Sequence, residues 1–215
     1  MAHEGFASAT LKSLRLCYSG AAALPVAVLE RWQNATGCPI VEGYGQSEAG
    51  PVLSYNPVNG TRKPGSVGVT LPLTQIEIVD LESGTTVLPV GQSGEIRARG
   101  PQIMQGYRQL PDETATALRD GWLYTGDIGE FDAEGYLFIR DRKKDMVIVG
   151  GFNVYPREVE EVLLTHPDVQ EASVVGIPDS YRGEVLVACV VGRTPSLSTE
   201  DLTTFLGERL TRYKV

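Results

Sequence analysis

The chain has 215 residues, of which 42% are hydrophobic and 21% charged, and its formal net charge is −8. That length accommodates one or two domains with real cores, and the composition is that of an ordinary soluble globular protein. The acidic balance excludes nonspecific binding to a nucleic-acid backbone, which needs a basic face, but leaves room for small polyanions held by local positive charge.

Residues 14–18 (LRLCY) read as a short buried strand closed by Ser19-Gly20. Pro25 opens a helix to about residue 34, with Val28, Leu29 and Trp32 at helical spacing, and Gly37 and Pro39 end it. Residues 39–41 begin a strand that runs into a glycine-rich stretch at 43–50, a βαβ rhythm that predicts the end of a parallel sheet. From Ser66 the pattern becomes alternation, in residues 74–80 (TQIEIVD) and 95–99 (EIRAR), with turns at Gly84 and Gly91. Residues 132–135 (DAEG) predict a hairpin loop between strands at 128–131 and 136–139, and a short helix near 113–118, capped by Asp112, interrupts this antiparallel region. After Asp141 the pattern reads βαββα, with strands at 146–149, 171–175 and 185–191 and helices at 156–165 and 199–211. Ser198 followed by Asp201 signals the start of the last helix. The expected class is α/β (α+β overall), divided at 1–65, 66–140 and 141–215.

Several residues carry candidate chemistry. In residues 42–51 (EGYGQSEAGP), glycines 43, 45 and 50 let backbone approach a ligand closely. Tyr44 offers an aromatic face to a base, Ser47 a hydroxyl to a phosphate, and Glu48 a hard carboxylate to Mg²⁺. Taken alone, the stretch reads equally as a polar turn after a strand. Asp127, in YTGD, supplies the two fixed acceptors that suit a vicinal diol, although a lone TGD is also a simple turn. The run DRKKD at 141–145 separates two apolar strands and, with Arg140, forms the densest basic cluster; it is followed by Gly150-Gly151 and by Pro156 at a helix start. An apolar run, a polar break and a second apolar run predict two packed units joined by a short connector.

Cys17, Cys38 and Cys189 are odd in number and widely spaced, which suits a reduced compartment better than a disulfide framework or a zinc site. Neither His3 nor His166 takes a catalytic role, and neither GxSxG nor a Walker P-loop is present. The start of the chain has no signal-peptide pattern, and no stretch nears the roughly 20 apolar residues of a membrane span.

In EGYGQSEAGP, GWLYTGDIG and DRKKDMVIVGGFNVYPREVE the chain resembles the adenylate-forming acyl-CoA synthetases, most of all the fatty-acyl and related carboxylate–CoA ligases. The resemblance implies a parallel αβ nucleotide-binding subdomain, an antiparallel β subdomain and a small αβ lid. It places Tyr44 on adenine, Ser47 on the α-phosphate, Glu48 on Mg²⁺ and the Gly20-Ala21-Ala22 turn against adenine and the acyl carboxylate. Asp127 would accept both ribose hydroxyls and Arg142 would contact ribose or phosphate, with Glu42, Gly43 and Ile139 also at the nucleotide. Lys144 would be the hinge on which the lid rotates between half-reactions, and Gly150-Gly151 would line the coenzyme A tunnel. ATP, Mg²⁺, coenzyme A and a carboxylate substrate are the implied ligands, in a cytoplasmic enzyme whose membrane association would be peripheral and whose exposed sheet would allow oligomers.

Two motifs of that family lie outside this sequence: its Ser/Thr/Gly-rich phosphate loop and its Gly-Lys catalytic lysine, of which Lys214 is not the counterpart. The chain thus reads as a fragment that by itself does not adenylate. Two other readings stay open. An adenylation domain could load a carrier protein, or a luciferase-like enzyme could oxidise its adenylate; alternatively the chain is a non-enzymatic nucleotide-binding or interaction module.

Overall fold

Residues 4–6, 10–194 and 197–215, as described by the computed structural model, build a mixed α/β chain of three sheets and few helices. It divides into two units, Met1–Thr125 with Gly129–Ile139, and Gly126–Ile128 with Arg140–Val215.

In the first unit, β1 (Cys17–Ser19) and β2 (Ile40–Tyr44) run parallel, with Cys17 opposite Ile40 and Ser19 opposite Glu42. The intervening helix α1 (Val26–Thr36) buries Leu29 and stops at Gly37, whose left-handed φ of 68° lets its N–H close on the Gln33 carbonyl. This is the predicted βαβ unit, except that β1 covers 17–19 instead of 14–18 and is not buried, Leu14 and Tyr18 both being exposed. Strand β2 then pairs antiparallel with β3 (Ser54–Tyr55), and β3 with β4 (Val69–Thr70), so the sheet is mixed.

The second sheet runs β5 (Gln75–Val79), β6 (Gly94–Arg99), β8 (Trp122–Phe131) and β7 (Leu118–Arg119), with β9 (Leu137–Arg142) also on β8. The alternation read at 74–80 and 95–99 is the β5–β6 pair, and its inward side chains Ile78 and Ile96 bury against Leu137. The β8–β9 loop is held by Asp132, whose Oδ1 accepts from the N–H groups of Glu134 and Tyr136. Lys63 pairs with Asp132 and, at 3.0 Å, with Glu134.

Helix α2 (Pro111–Ala117) corrects one expectation. Leu110 holds the N-cap position without a side-chain bond, and Pro111 takes the first turn, where its missing N–H costs nothing. Asp112 lies inside that turn with Glu113, so it acts through charge near the helix start, not as a cap.

The second unit carries a four-stranded sheet ordered β11-β10-β13-β12: β11 (Phe152–Val154), β10 (Val147–Val149), β13 (Gly183–Gly192) and β12 (Val169–Asp179). Helices α3 (Pro156–Leu164) and α4 (Thr199–Gly207) pack on it through Val159, Leu163, Val174 and Leu206. The order is therefore ββαββα, not βαββα, because Gly150 and Gly151, at φ 56° and 86°, close a two-residue hairpin between Val149 and Phe152. Helix α4 starts as expected, with Ser198 Oγ accepting from the Asp201 N–H at 3.1 Å and donating to its carboxylate at 2.8 Å. It stops four residues earlier than predicted, at Gly207, where glycine weakens a helix. No helix among the described residues is long and apolar enough to cross a membrane.

Candidate functional site

Strands β1 and β2 are parallel, so both carboxyl ends point to one edge of the sheet. In open α/β sheets that edge is where ligands bind. From β1 emerges the Ser19-Gly20-Ala21-Ala22 turn, in which Ala21 takes a left-handed φ of 66°, a strained conformation for a residue with a side chain. From β2 emerges the Tyr44–Gly50 loop. The two abut: a β-carbon on Gly20 would stand 3.3 Å from the Gly43 carbonyl oxygen. Glu42, at the Ser19 register position, is buried at 7% exposure.

The loop itself is anchored from below. Ser47–Ala49 forms a single 3₁₀ turn whose Ala49 is fully buried in a cluster with Leu53, Ala98 and Leu123, and Tyr44 packs against the same cluster. Above that anchor Ser47 is exposed and Glu48 half-buried. The Glu48 carbonyl accepts the Met104 N–H at 2.8 Å, and the Tyr107 hydroxyl donates to Glu48 Oε1 at 2.8 Å. That hydrogen bond, then burial, raises the Tyr107 phenol above its ordinary range, so it stays a donor through neutral pH.

The three glycines of the loop are filled against the chain's own atoms. A β-carbon on Gly43 would come within 2.5 Å of the Tyr55 ring, one on Gly45 within 1.9 Å of the Pro51 carbonyl oxygen, and one on Gly50 within 2.7 Å of the Gln102 carbonyl oxygen. Tyr55 in turn meets Tyr18 edge-on at 5.5 Å. Sequence reasoning missed Tyr55 and Tyr107. Each is brought to the loop by pairing or folding remote in sequence, and neither has a local signal.

In the second unit, Asp127 and Arg142 come together: Arg142 Nε lies 2.9 Å from Asp127 Oδ1, the carboxylate buried and the guanidinium half exposed. A buried carboxylate needs such a partner, because desolvation alone would neutralise it. Lys144 is exposed in the 3₁₀ turn Lys143–Asp145 that joins β9 to β10. Asp141 braces this connector: Oδ1 accepts the Arg142 N–H at 2.7 Å and Oδ2 the Arg157 N–H at 3.1 Å, an otherwise orphaned donor at the start of α3. Ile139 packs against the Ile78–Ile96–Leu137 cluster. Gly150 and Gly151 are exposed, and a β-carbon on either would meet nothing within 4 Å. Lys214 is tied to the Glu158 carboxylate at 2.6 and 2.7 Å.

Comparison with known proteins identifies the family. The family model described as AMP-binding enzyme matches residues 1–108, and that of the AMP-binding enzyme C-terminal domain matches residues 158–215. A long-chain-fatty-acid–CoA ligase of Bacillus subtilis is 50% identical over 206 residues, 95% of this chain but 37% of the relative, so the chain spans less than two fifths of that protein's length. Among solved structures, ATP-bound MatB from Rhodopseudomonas palustris superimposes with a TM-score of 0.89 at 37% identity, covering 93% of this chain and 40% of the other. The o-succinylbenzoate CoA synthetase MenE of Bacillus subtilis, in complex with its acyl-adenylate intermediate, gives a TM-score of 0.85 at 36% identity, covering 95% and 41%. The expected α/β architecture and the sequence motifs lead to the same place: this chain belongs to the AMP-binding enzyme family.

Proposed function

We propose that the chain supplies nucleotide-facing and thiol-facing elements of an ATP-dependent carboxylate–CoA ligase of the cytoplasm, with a long-chain fatty acid as the acyl substrate. In the first half-reaction a carboxylate oxygen bonds to the α-phosphorus of ATP and pyrophosphate leaves. In the second, the coenzyme A thiol bonds to the acyl carbon and AMP leaves. The observation that carries this reading is the convergence of the Ser19–Ala22 turn and the Tyr44–Glu48 loop at the carboxyl ends of two parallel strands.

The roles follow from chemistry. Tyr44, Gly43 and the Gly20-Ala21-Ala22 turn would accommodate the planar base, and Ser47, exposed on a buried anchor, would donate to the α-phosphate. Asp127 would accept the ribose hydroxyls, with Arg142 setting the orientation of its carboxylate. Lys144 would be the torsional pivot of the connector, and the exposed Gly150-Gly151 turn would present backbone to the pantetheine arm.

Among the described residues no group of three or more His, Cys, Asp or Glu could hold a metal ion. Magnesium does not need one: it is held by one or two carboxylates together with phosphate oxygens and water. Glu48 fits that demand, with Tyr107 fixing one carboxylate oxygen and thereby aiming the other. When bound, the ion would neutralise phosphate charge.

The reading is tested by titrating the chain with AMP and with 2′,3′-dideoxy-AMP. The expected result is about tenfold weaker binding of the dideoxy compound, a preference lost in Asp127→Asn, since tenfold corresponds to about 1.4 kcal/mol of hydrogen bonding. Equal binding of both nucleotides by the unaltered chain would remove the nucleotide reading.

A further inference from the structure

Cys17 and Cys38 play no part in the proposed chemistry, yet their sulfurs lie 3.6 Å apart although 21 positions separate them in the chain. Cys17 opens β1 and is partly exposed; Cys38 stands in the connection from α1 to β2 and is 2% exposed. Backbone bonds hold both in place. The Cys17 N–H donates to the Pro39 carbonyl at 2.9 Å, and the Cys38 N–H donates to Thr36 Oγ1 at 3.1 Å. A disulfide needs its sulfurs at about 2.05 Å, so the pair has about 1.5 Å to close. The loop it would close contains the Ser19–Ala22 turn and all of α1. Cys189, exposed on β13, is the third thiol.

We propose that Cys17 and Cys38 are a modification site, a thiol pair that a hydroperoxide converts into a reversible disulfide. In the first step the Cys17 sulfur attacks the peroxide: an S–O bond forms, the O–O bond breaks, and the alcohol (water, for hydrogen peroxide) departs. In the second step the Cys38 sulfur attacks the Cys17 sulfur, the S–S bond forms, the S–O bond breaks, and hydroxide leaves with the Cys38 proton as water. Two thiols lose two electrons, and the peroxide takes up both. Exposure sets the order, since the oxidant reaches Cys17 first. Burial, and then the Cys17 hydrogen bond, push the Cys38 thiol up, which keeps it protonated and slow toward the oxidant.

The test treats the intact chain with hydrogen peroxide, counts alkylatable thiols, and maps tryptic peptides without reduction. Cleavage after Arg15, Arg31 and Arg62 places the two cysteines in separate peptides, 16–31 and 32–62. The expected result is a fall from three thiols to one, with these peptides joined and lighter by two hydrogens, and full recovery on adding a dithiol reductant. Cys189→Ser should go from two thiols to none, and Cys17→Ser should form no bridge and leave Cys38 alkylatable once unfolded. Three surviving thiols, Cys17 recovered as sulfinic acid beside a free Cys38, or dimers linked through Cys189 with the two peptides separate would each overturn the proposal. The peptide map of the unaltered chain decides the matter even if a cysteine variant fails to fold.

Discussion

At Gly45 a β-carbon would stand 1.9 Å from a backbone carbonyl oxygen, whereas at Gly150 and Gly151 it would meet nothing within 4 Å. Both stretches are glycine-rich turns that follow a strand, and in sequence they look alike. The first is crowded by Pro51, Tyr55 and Gln102, so glycine there satisfies packing; the second is open, so glycine there satisfies torsion. The lesson is that a glycine-rich loop is not one kind of object. One kind forms a rigid edge built into a core through Ala49, and the other leaves backbone uncovered on the surface of a hairpin.

That contrast makes graded predictions. Gly45→Ala should be the most damaging substitution, costing more than about 3 kcal/mol in urea unfolding, because its neighbours are backbone atoms that cannot swing away. A loss below about 1 kcal/mol would mean that the loop is not rigid. Gly43→Ala should cost about 1–2 kcal/mol, since it meets the edge of the Tyr55 ring, which can turn. A double-mutant cycle with Tyr55→Ala should show favourable coupling, and simple additivity would deny the contact. Gly151→Ala should cost about 1 kcal/mol from its left-handed torsion, and Gly151→Asn about half of that. Equal costs for alanine and asparagine would point to packing instead of torsion.

Tyr107→Phe should cost about 0.5–1 kcal/mol of stability while weakening Mg²⁺-dependent ATP binding about tenfold, leaving Mg²⁺-independent AMP binding in place. If AMP binding falls in parallel, Tyr107 shapes the whole loop and does not aim Glu48. The smallest effects concern two turn carboxylates, one per unit. Asp80 is held below its ordinary range by the Ser83 hydroxyl and N–H, together with the Thr86 and Glu82 N–H groups, and Asp179 by the N–H groups of Arg182 and Tyr181. A depressed folded value means stability that is present above the unfolded carboxylate value near 4 and lost as pH falls through the lower folded one. Urea midpoints taken from pH 6 downward should therefore drop less in Asp80→Asn and Asp179→Asn than in the unaltered chain.

Legibility in sequence followed the reach of each interaction. Helix α1, the Ser198–Asp201 start of α4 and the Asp132 hairpin rest on neighbours a few residues apart, and all were readable; the β1–β2 pairing, from Cys17 to Ile40, was readable only as part of a βαβ pattern. Strand β11 was not, because three residues between a glycine pair and Pro156 are too few to show a period. The Tyr107–Glu48 hydrogen bond spans 59 positions, and the Tyr55 ring reaches Gly43 through strand pairing, so no local pattern could place either. The same limit explains Gly43 itself. Sequence supplies the missing side chain, but only the folded register tells which atom takes its space.

The short turn after α4 offers a last consequence. Residues Arg212–Lys214 make a short 3₁₀ turn in which Tyr213 stacks on Phe152 at 4.6 Å and packs against the Val147–Val149–Val154 cluster, while Lys214 grips Glu158 on α3. A single short turn on a surface usually opens locally and exchanges its amide hydrogens with solvent quickly. Here the turn is fastened to both a hairpin and a helix, so the Lys214 amide, which donates to the Thr211 carbonyl at 2.8 Å, should exchange at the pace of the β10–β11 hairpin. The turn then behaves as part of one cooperative opening unit, whose protection reports on the second unit.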